Sequence, residues 1–92
     1  MTNEEKIIGK VKIPLRKMKK VRRELRINQS RVAEFLGVTT QYFSLLERGE
    51  NTLSYNYALQ IAKFFNTTPD DLFKEDFINA NERLKNLEKI GF

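Results

Sequence analysis

Whatever chemistry this chain performs is done without histidine or cysteine, because its 92 residues contain neither. That removes imidazole acid–base catalysis, thiolate chemistry and the usual transition-metal ligands together. The four glycines, Gly9, Gly37, Gly49 and Gly91, are scattered, so no glycine-rich loop cradles a phosphate. One pair of neighbouring carboxylates, Asp70 and Asp71, follows Thr68 and Pro69. Acid in the first turn of a helix offsets the helix dipole, which accounts for this pair without a metal or a reaction. Neither an enzyme nor a bound metal or cofactor is expected. What remains is a cluster of hydrogen-bonding side chains between 39 and 52, attached to a strongly basic first half.

That basic half is the more telling of the two. The formal net charge is +5, but residues 1–49 hold twelve basic against five acidic groups, and residues 50–92 hold five against seven. Residues 10–31 contain ten Lys or Arg and a single acid, Glu24. A molecule polarised in this way presents one side to a polyanion. No apolar run approaches the length of a membrane span, and Glu4 and Glu5 stand where a targeting leader would be basic, then apolar. The expectation is a cytoplasmic protein with no membrane partner, of a size that allows one domain around one modest core.

The elements that must hold the polar cluster are readable around Gly37. Val32, Ala33 and Leu36 precede it at helical spacing, and Val38, Phe43 and Leu46 follow it. Two short amphipathic helices meeting at a tight turn give a helix-turn-helix, or, more plainly, an ordinary αα-hairpin. Crossing helices require a small residue at Ala33, and a left-handed residue at Gly37 closes the first of them. Thr39 then stands at the N-cap of the second helix. Thr40, Gln41 and Tyr42 project from its first turn, and Gly49 ends it.

Upstream, Leu15, Met18, Val21 and Leu25 form one face of a helix predicted over 14–26, with Pro14 near its first position. Its other face is almost wholly Lys and Arg, either touching phosphates or simply solvated. Before it, residues 2–5 read as a capping box or as a frayed terminus, and residues 10–13 alternate in the strand period. Asn28 caps the next helix. Downstream, Ser54 caps a helix whose apolar stripe is Tyr55, Ala58, Leu59, Ala62 and Phe65, helped by Ile61. Asn66 closes it, and Thr68-Pro69-Asp70-Asp71 opens a fifth helix that returns Leu72 and Phe73 to the core. A further helix is predicted over 76–90, with Phe77, Ala80, Leu84 and Leu87 on one side. That stripe has to be covered, either by the chain's own helices or by the same stripe of a twofold mate. Burial against a twofold mate is expected, with Phe77, Leu84 and Leu87 as dimer contacts.

Gln29, Ala33, Gly37, Val38, Phe43, Leu46, Glu47 and Gly49 stand at the spacing of the phage-repressor and Cro-type (XRE) helix-turn-helix family, which residues 21–73 resemble. The resemblance implies an all-α, five-helix DNA-binding domain over 14–74, with an N-terminal arm at 1–13 and a C-terminal helical tail at 75–92. It implies binding to double-stranded DNA, as a homodimer on a pseudo-palindromic operator, by a transcriptional regulator of repressor type. Base contacts then fall to Thr40, Gln41, Ser44 and Leu45, of which Gln41 can bond bidentately to adenine and Leu45 can meet a thymine methyl. Leu45 departs from the more polar versions of the family. Phosphate contacts fall to Asn28, Gln29, Thr39, Tyr42, Arg48, Asn51 and Thr52. Tyr42 is expected to pack in part and keep a polar tip, and Glu50 to face away from the strand. The family also places an Arg seven residues before the Gln, paired with the Glu that closes the recognition helix; here these are Arg22 and Glu47. Residues 47–54 are similar to restriction–modification controller proteins of the same family. The alternative function is therefore an antitoxin-like or controller-type protein whose tail binds a protein partner and whose DNA binding is autoregulatory.

Overall fold

The computed structural model describes residues 12–89, with side chains through Glu82. Its five helices are α1 (Arg16–Glu24), α2 (Gln29–Leu36), α3 (Thr40–Glu47), α4 (Tyr55–Phe64) and α5 (Pro69–Lys89), and among the described residues there is no strand. The fold is all-α. The capping box expected at 2–5 and most of the alternating stretch at 10–13 lie outside the described residues. Lys12 and Ile13 form no strand; Ile13 is instead a core residue at 3% exposure.

Each helix start has a physical cause. Asn28, Thr39 and Ser54 are extended N-cap residues whose side chains accept from the backbone N–H of Arg31, Tyr42 and Tyr57. Thr68 does the same for Asp71 at 3.2 Å, with Pro69 as the first residue of α5. α1 is the exception. It begins two residues later than the sequence predicts, because Leu15, not Pro14, is the boundary residue, and Leu15 offers no side-chain cap.

The helix ends share one device. Arg26, Gly37, Gly49 and Asn66 all have positive φ, at 58°, 75°, 82° and 57°. At each, the following N–H reaches back to a carbonyl of the last turn: Ile27 to Arg22, Val38 to Ala33, Glu50 to Leu45, and Thr67 to Ala62. Asparagine tolerates this conformation; Arg26 is the unusual occupant, and nothing in the sequence singles it out.

These turns bring Leu15 and Met18 of α1, Val32 and Ala33 of α2, Phe43 and Leu46 of α3, Ala58, Ile61 and Ala62 of α4, and Leu72 and Phe73 of α5 into one core, with Ile13 and Leu53 from the connecting segments. Two members of the predicted α4 stripe do not join it. Tyr55 and Leu59 are 40% and 42% exposed, since Ala58, Ile61 and Ala62 already fill the inward face. The helix predicted over 76–90 is not separate either. It continues α5 without a break, because no glycine or proline lies between Pro69 and Lys89 to end the helix. Phe77 and Ala80 lie partly buried against their own core.

Candidate nucleic-acid interface

α3 is only eight residues long, and a helix of that length has little stability of its own. Its position is set from the buried side. Glu47, at the last helical position, is 3% exposed, and its carboxylate accepts three hydrogen bonds. Arg22 Nε donates to Oε2 at 2.8 Å and Arg22 Nη2 to Oε1 at 2.9 Å, a bidentate fork. Gln29 Nε2 donates to Oε1 at 2.9 Å. The remaining guanidinium nitrogen, Nη1, donates to the Ile27 carbonyl at 2.8 Å, so Arg22 joins α1, the α1–α2 turn and α3. The backbone N–H of Leu15 also donates to the Glu47 carbonyl, at 2.9 Å. Among the described residues no buried side-chain nitrogen or oxygen lacks a partner.

Gly49 completes this joint. Besides its positive φ, a Cβ there would lie 2.5 Å from Pro14 N and 2.6 Å from the Ile13 carbonyl carbon, so the extended segment before α1 crosses directly over the end of α3. Gly37 differs: its φ of 75° favours glycine, yet the space beside it is open.

With the inward face of α3 fixed, the outward face follows. Thr40 and Gln41 are exposed, and Ser44 and Leu45 half-buried, each one helical turn from its counterpart. Thr39 is exposed at the helix start, its Oγ1 accepting from Tyr42 N–H at 3.0 Å, which leaves the hydroxyl proton to donate elsewhere. Asn28 uses Oδ1 to accept from Arg31 N–H at 3.0 Å and from the Ser30 hydroxyl at 2.8 Å, leaving its amide N–H groups outward. Gln29 is half-buried, with one amide hydrogen committed to Glu47. Tyr42 is half-buried, its ring centroid 6.1 Å from that of Tyr57 on α4. Burial raises the Tyr42 hydroxyl above its usual pKa, and neighbouring Tyr57 adds to the effect, so near neutral pH Tyr42 is a donor. Asn51 and Thr52 are half-buried in the loop after Gly49.

Arg48 is exposed, and its Nε lies 3.0 Å from Oε2 of Glu50. The two exposed side chains pair, since the turn at Gly49 brings them together. Reasoning from sequence also missed Tyr57 as a neighbour of Tyr42, and Asp76. Asp76 is 7% exposed, and its Oδ2 accepts from the backbone N–H of Lys17 at 3.1 Å. An acid in a predicted tail helix carries no signal that it caps a helix 59 residues earlier.

Of the remaining predicted residues, Phe77 lines an apolar groove of about 220 Å³ with Tyr55, Ala58 and Phe73 between α4 and α5. The side chains of Leu84 and Leu87 lie outside the described residues. Among the described residues no helix is long and apolar enough to cross a membrane, and no cluster of acidic residues could hold a metal ion.

No curated protein matches the chain. A short helix that follows a glycine-closed turn and presents polar residues from its capped first turns has the layout of the second helix of a helix-turn-helix. Residues 18–72, more than half of the chain, match the helix-turn-helix family model HTH_3, and the chain belongs to this XRE-type family of DNA-binding transcriptional regulators.

Proposed function

We propose that the protein binds a pseudo-palindromic operator as a homodimer and represses transcription from it, with α3 in the major groove of each half-site. One observation carries the groove assignment. The Arg22–Glu47–Gln29 cluster fixes the buried side of α3, so Thr40, Gln41, Ser44 and Leu45 form the side presented outward. Gln41 reads a base by its amide, Thr40 bonds a base or a phosphate, and Leu45 meets a thymine methyl. Around this strip, Asn28, Gln29, Thr39, Tyr42, Arg48, Asn51 and Thr52 contact the strand backbone. Their donors are of the kind that fix register and carry no sequence information.

The homodimer contact is assigned to the α4–α5 side. Phe77 there lines the apolar groove, Tyr55 and Leu59 are exposed one turn apart on α4, and Ile78, next to Phe77, is 44% exposed. The uninterrupted α5 runs on through Leu84 and Leu87. A twofold axis through it makes the contact self-complementary.

Selection from a pool of random duplexes tests both parts. Two inverted half-sites, with centres about 10–10.5 base pairs or a multiple apart, are expected. Recovery of a single asymmetric site would remove the homodimer, and recovery of no common sequence would remove sequence-specific binding. A second protein retained by the chain in place of its twin would favour the controller or antitoxin reading.

A further inference from the structure

We propose that Asp76, which lies beyond the family match, is a positioning residue for DNA recognition: it caps α1 from the opposite end of the chain and thereby holds the joint that orients α3. This rests on the reading of α3 as the DNA-contacting helix.

α1 is the one described helix between Arg16 and Phe64 whose boundary residue supplies no side-chain cap, and its first turn contains no acid. Its first N–H groups would be left without partners. Asp76 of α5 supplies the missing acceptor, with Oδ2 3.1 Å from Lys17 N, and is itself nearly buried. A carboxylate at a helix start also complements the dipole there. Lys17 is two residues from Leu15, whose N–H is bonded to the Glu47 carbonyl, and three from Pro14, over which Gly49 closes. The capped turn is therefore the same turn that pins the end of the recognition helix. At its other end α1 carries Arg22, the donor of the fork to Glu47. Fraying the first turn of α1 loosens the Leu15 link first, and with it the axial position of α3.

Charge makes the proposal easy to separate from a general electrostatic effect. Removing an acid from a DNA-binding protein, by itself, strengthens binding to phosphate. A lost cap acts in the opposite direction. The test uses the full chain and the duplex that the wild-type protein selects. Asp76→Ala is expected to bind that duplex about fivefold more weakly, an effect the size of one lost helix cap, with a smaller loss on random duplex. Asp76→Asn, which keeps an oxygen acceptor but no charge, is expected within about twofold of wild type. Circular dichroism melts set a temperature at which all variants are folded. Should Asp76→Ala be unfolded throughout, Asp76→Ser takes its place, with its shorter, weaker acceptor and an intermediate loss expected.

Unchanged or tighter binding by a folded Asp76→Ala would overturn the proposal. So would an Asn variant as weak as the Ala variant, since charge and not the acceptor would then be responsible. Amide exchange at Lys17 and Leu15 is read in the same proteins and should accelerate in Asp76→Ala but not in Asp76→Asn. If the wild-type protein selects no duplex, the DNA reading fails; acceleration at both amides then sustains the cap, and its absence removes the cap as well.

Discussion

Removing either member of the Arg22–Glu47 pair should cost far more than the pair itself is worth. Their side chains are 9% and 1% exposed, so each variant leaves a charge in a nearly dry site. Arg22→Ala takes away two of the three donors to the Glu47 carboxylate and leaves only the Gln29 amide. Glu47→Ala leaves the guanidinium with the Ile27 carbonyl alone, but a long side chain can swing toward water where a carboxylate at a buried helix position cannot. Stranding one member of a buried pair costs about 3–5 kcal/mol. A domain of this size has a total stability of roughly 5–14 kcal/mol, so each single variant should lower the melting temperature by 12 °C or more, at roughly 4–8 °C per kcal/mol. Arg22→Ala is the more damaged of the two. The double variant removes both charges and should be less unstable than the sum of the singles by about 2 kcal/mol. Urea melts of the four proteins give the coupling through their midpoints at constant slope. An additive cycle would refute the reasoning, because the two charges would then be sensed independently despite their 2.8 Å separation.

Gln41→Ala should lose about 1–3 kcal/mol at one base pair per half-site and leave other positions unaffected, read by binding to single-substitution variants of the selected duplex. Arg48→Ala should weaken all duplexes alike and reduce the slope of log affinity against log salt by about 1; it also leaves the Glu50 carboxylate unpaired, so the added change Glu50→Ala should restore part of the loss. Gly37→Ala should cost about 1–2 kcal/mol, the left-handed backbone penalty alone, whereas Gly49→Ala should cost more because its Cβ meets the Pro14 backbone; equal denaturation midpoints would contradict the close approach. Truncation after Glu82, which spares Asp76 and Phe77, should weaken dimerisation in sedimentation and, with it, operator affinity, since each half-site is then bound alone.

Much of this arrangement is legible in the sequence where cause and effect are close together along the chain. Asn28, Thr39 and Ser54 cap the residues three positions later, Gly37 and Gly49 end the helices they follow, and Val32, Ala33, Phe43 and Leu46 are spaced as a buried face. The Arg22–Glu47 pair spans 25 residues and came only through the family resemblance, since two charges at that distance have no local signature. The cap on Lys17 had no such help. The spacing of Phe77, Ala80, Leu84 and Leu87 instead suggests a helix beginning at Asp76, and a helix-starting acid is ordinarily a local cap. Leu59 fits the helical stripe and so reads as an inward residue. Periodicity cannot tell which edge of a wide stripe the neighbouring helices leave open, and here α4 turns Leu59 and Tyr55 outward. Arg26 escapes notice for a related reason: left-handed closure is read from glycine or asparagine, and here arginine occupies it in a turn whose next carbonyl accepts from Arg22.

Why the joint under α3 is ionic and not apolar follows from what it must control. A well-packed apolar pair would give at least as much stability as a buried ion pair, and often more. Apolar packing fixes separation but tolerates rotation about the helix axis. The fork from Arg22 to both oxygens of Glu47, with the Gln29 amide on one of them, fixes orientation as well. For a two-turn helix that distinction is large at the surface. Side chains lie about 5 Å from the axis, so a rotation of roughly 10° moves a contact atom by about 1 Å. A bidentate amide-to-adenine contact is lost over a displacement of that order, while a phosphate contact by a long arginine is not. Loosening this joint should therefore affect discrimination between duplexes before it affects affinity for DNA in general.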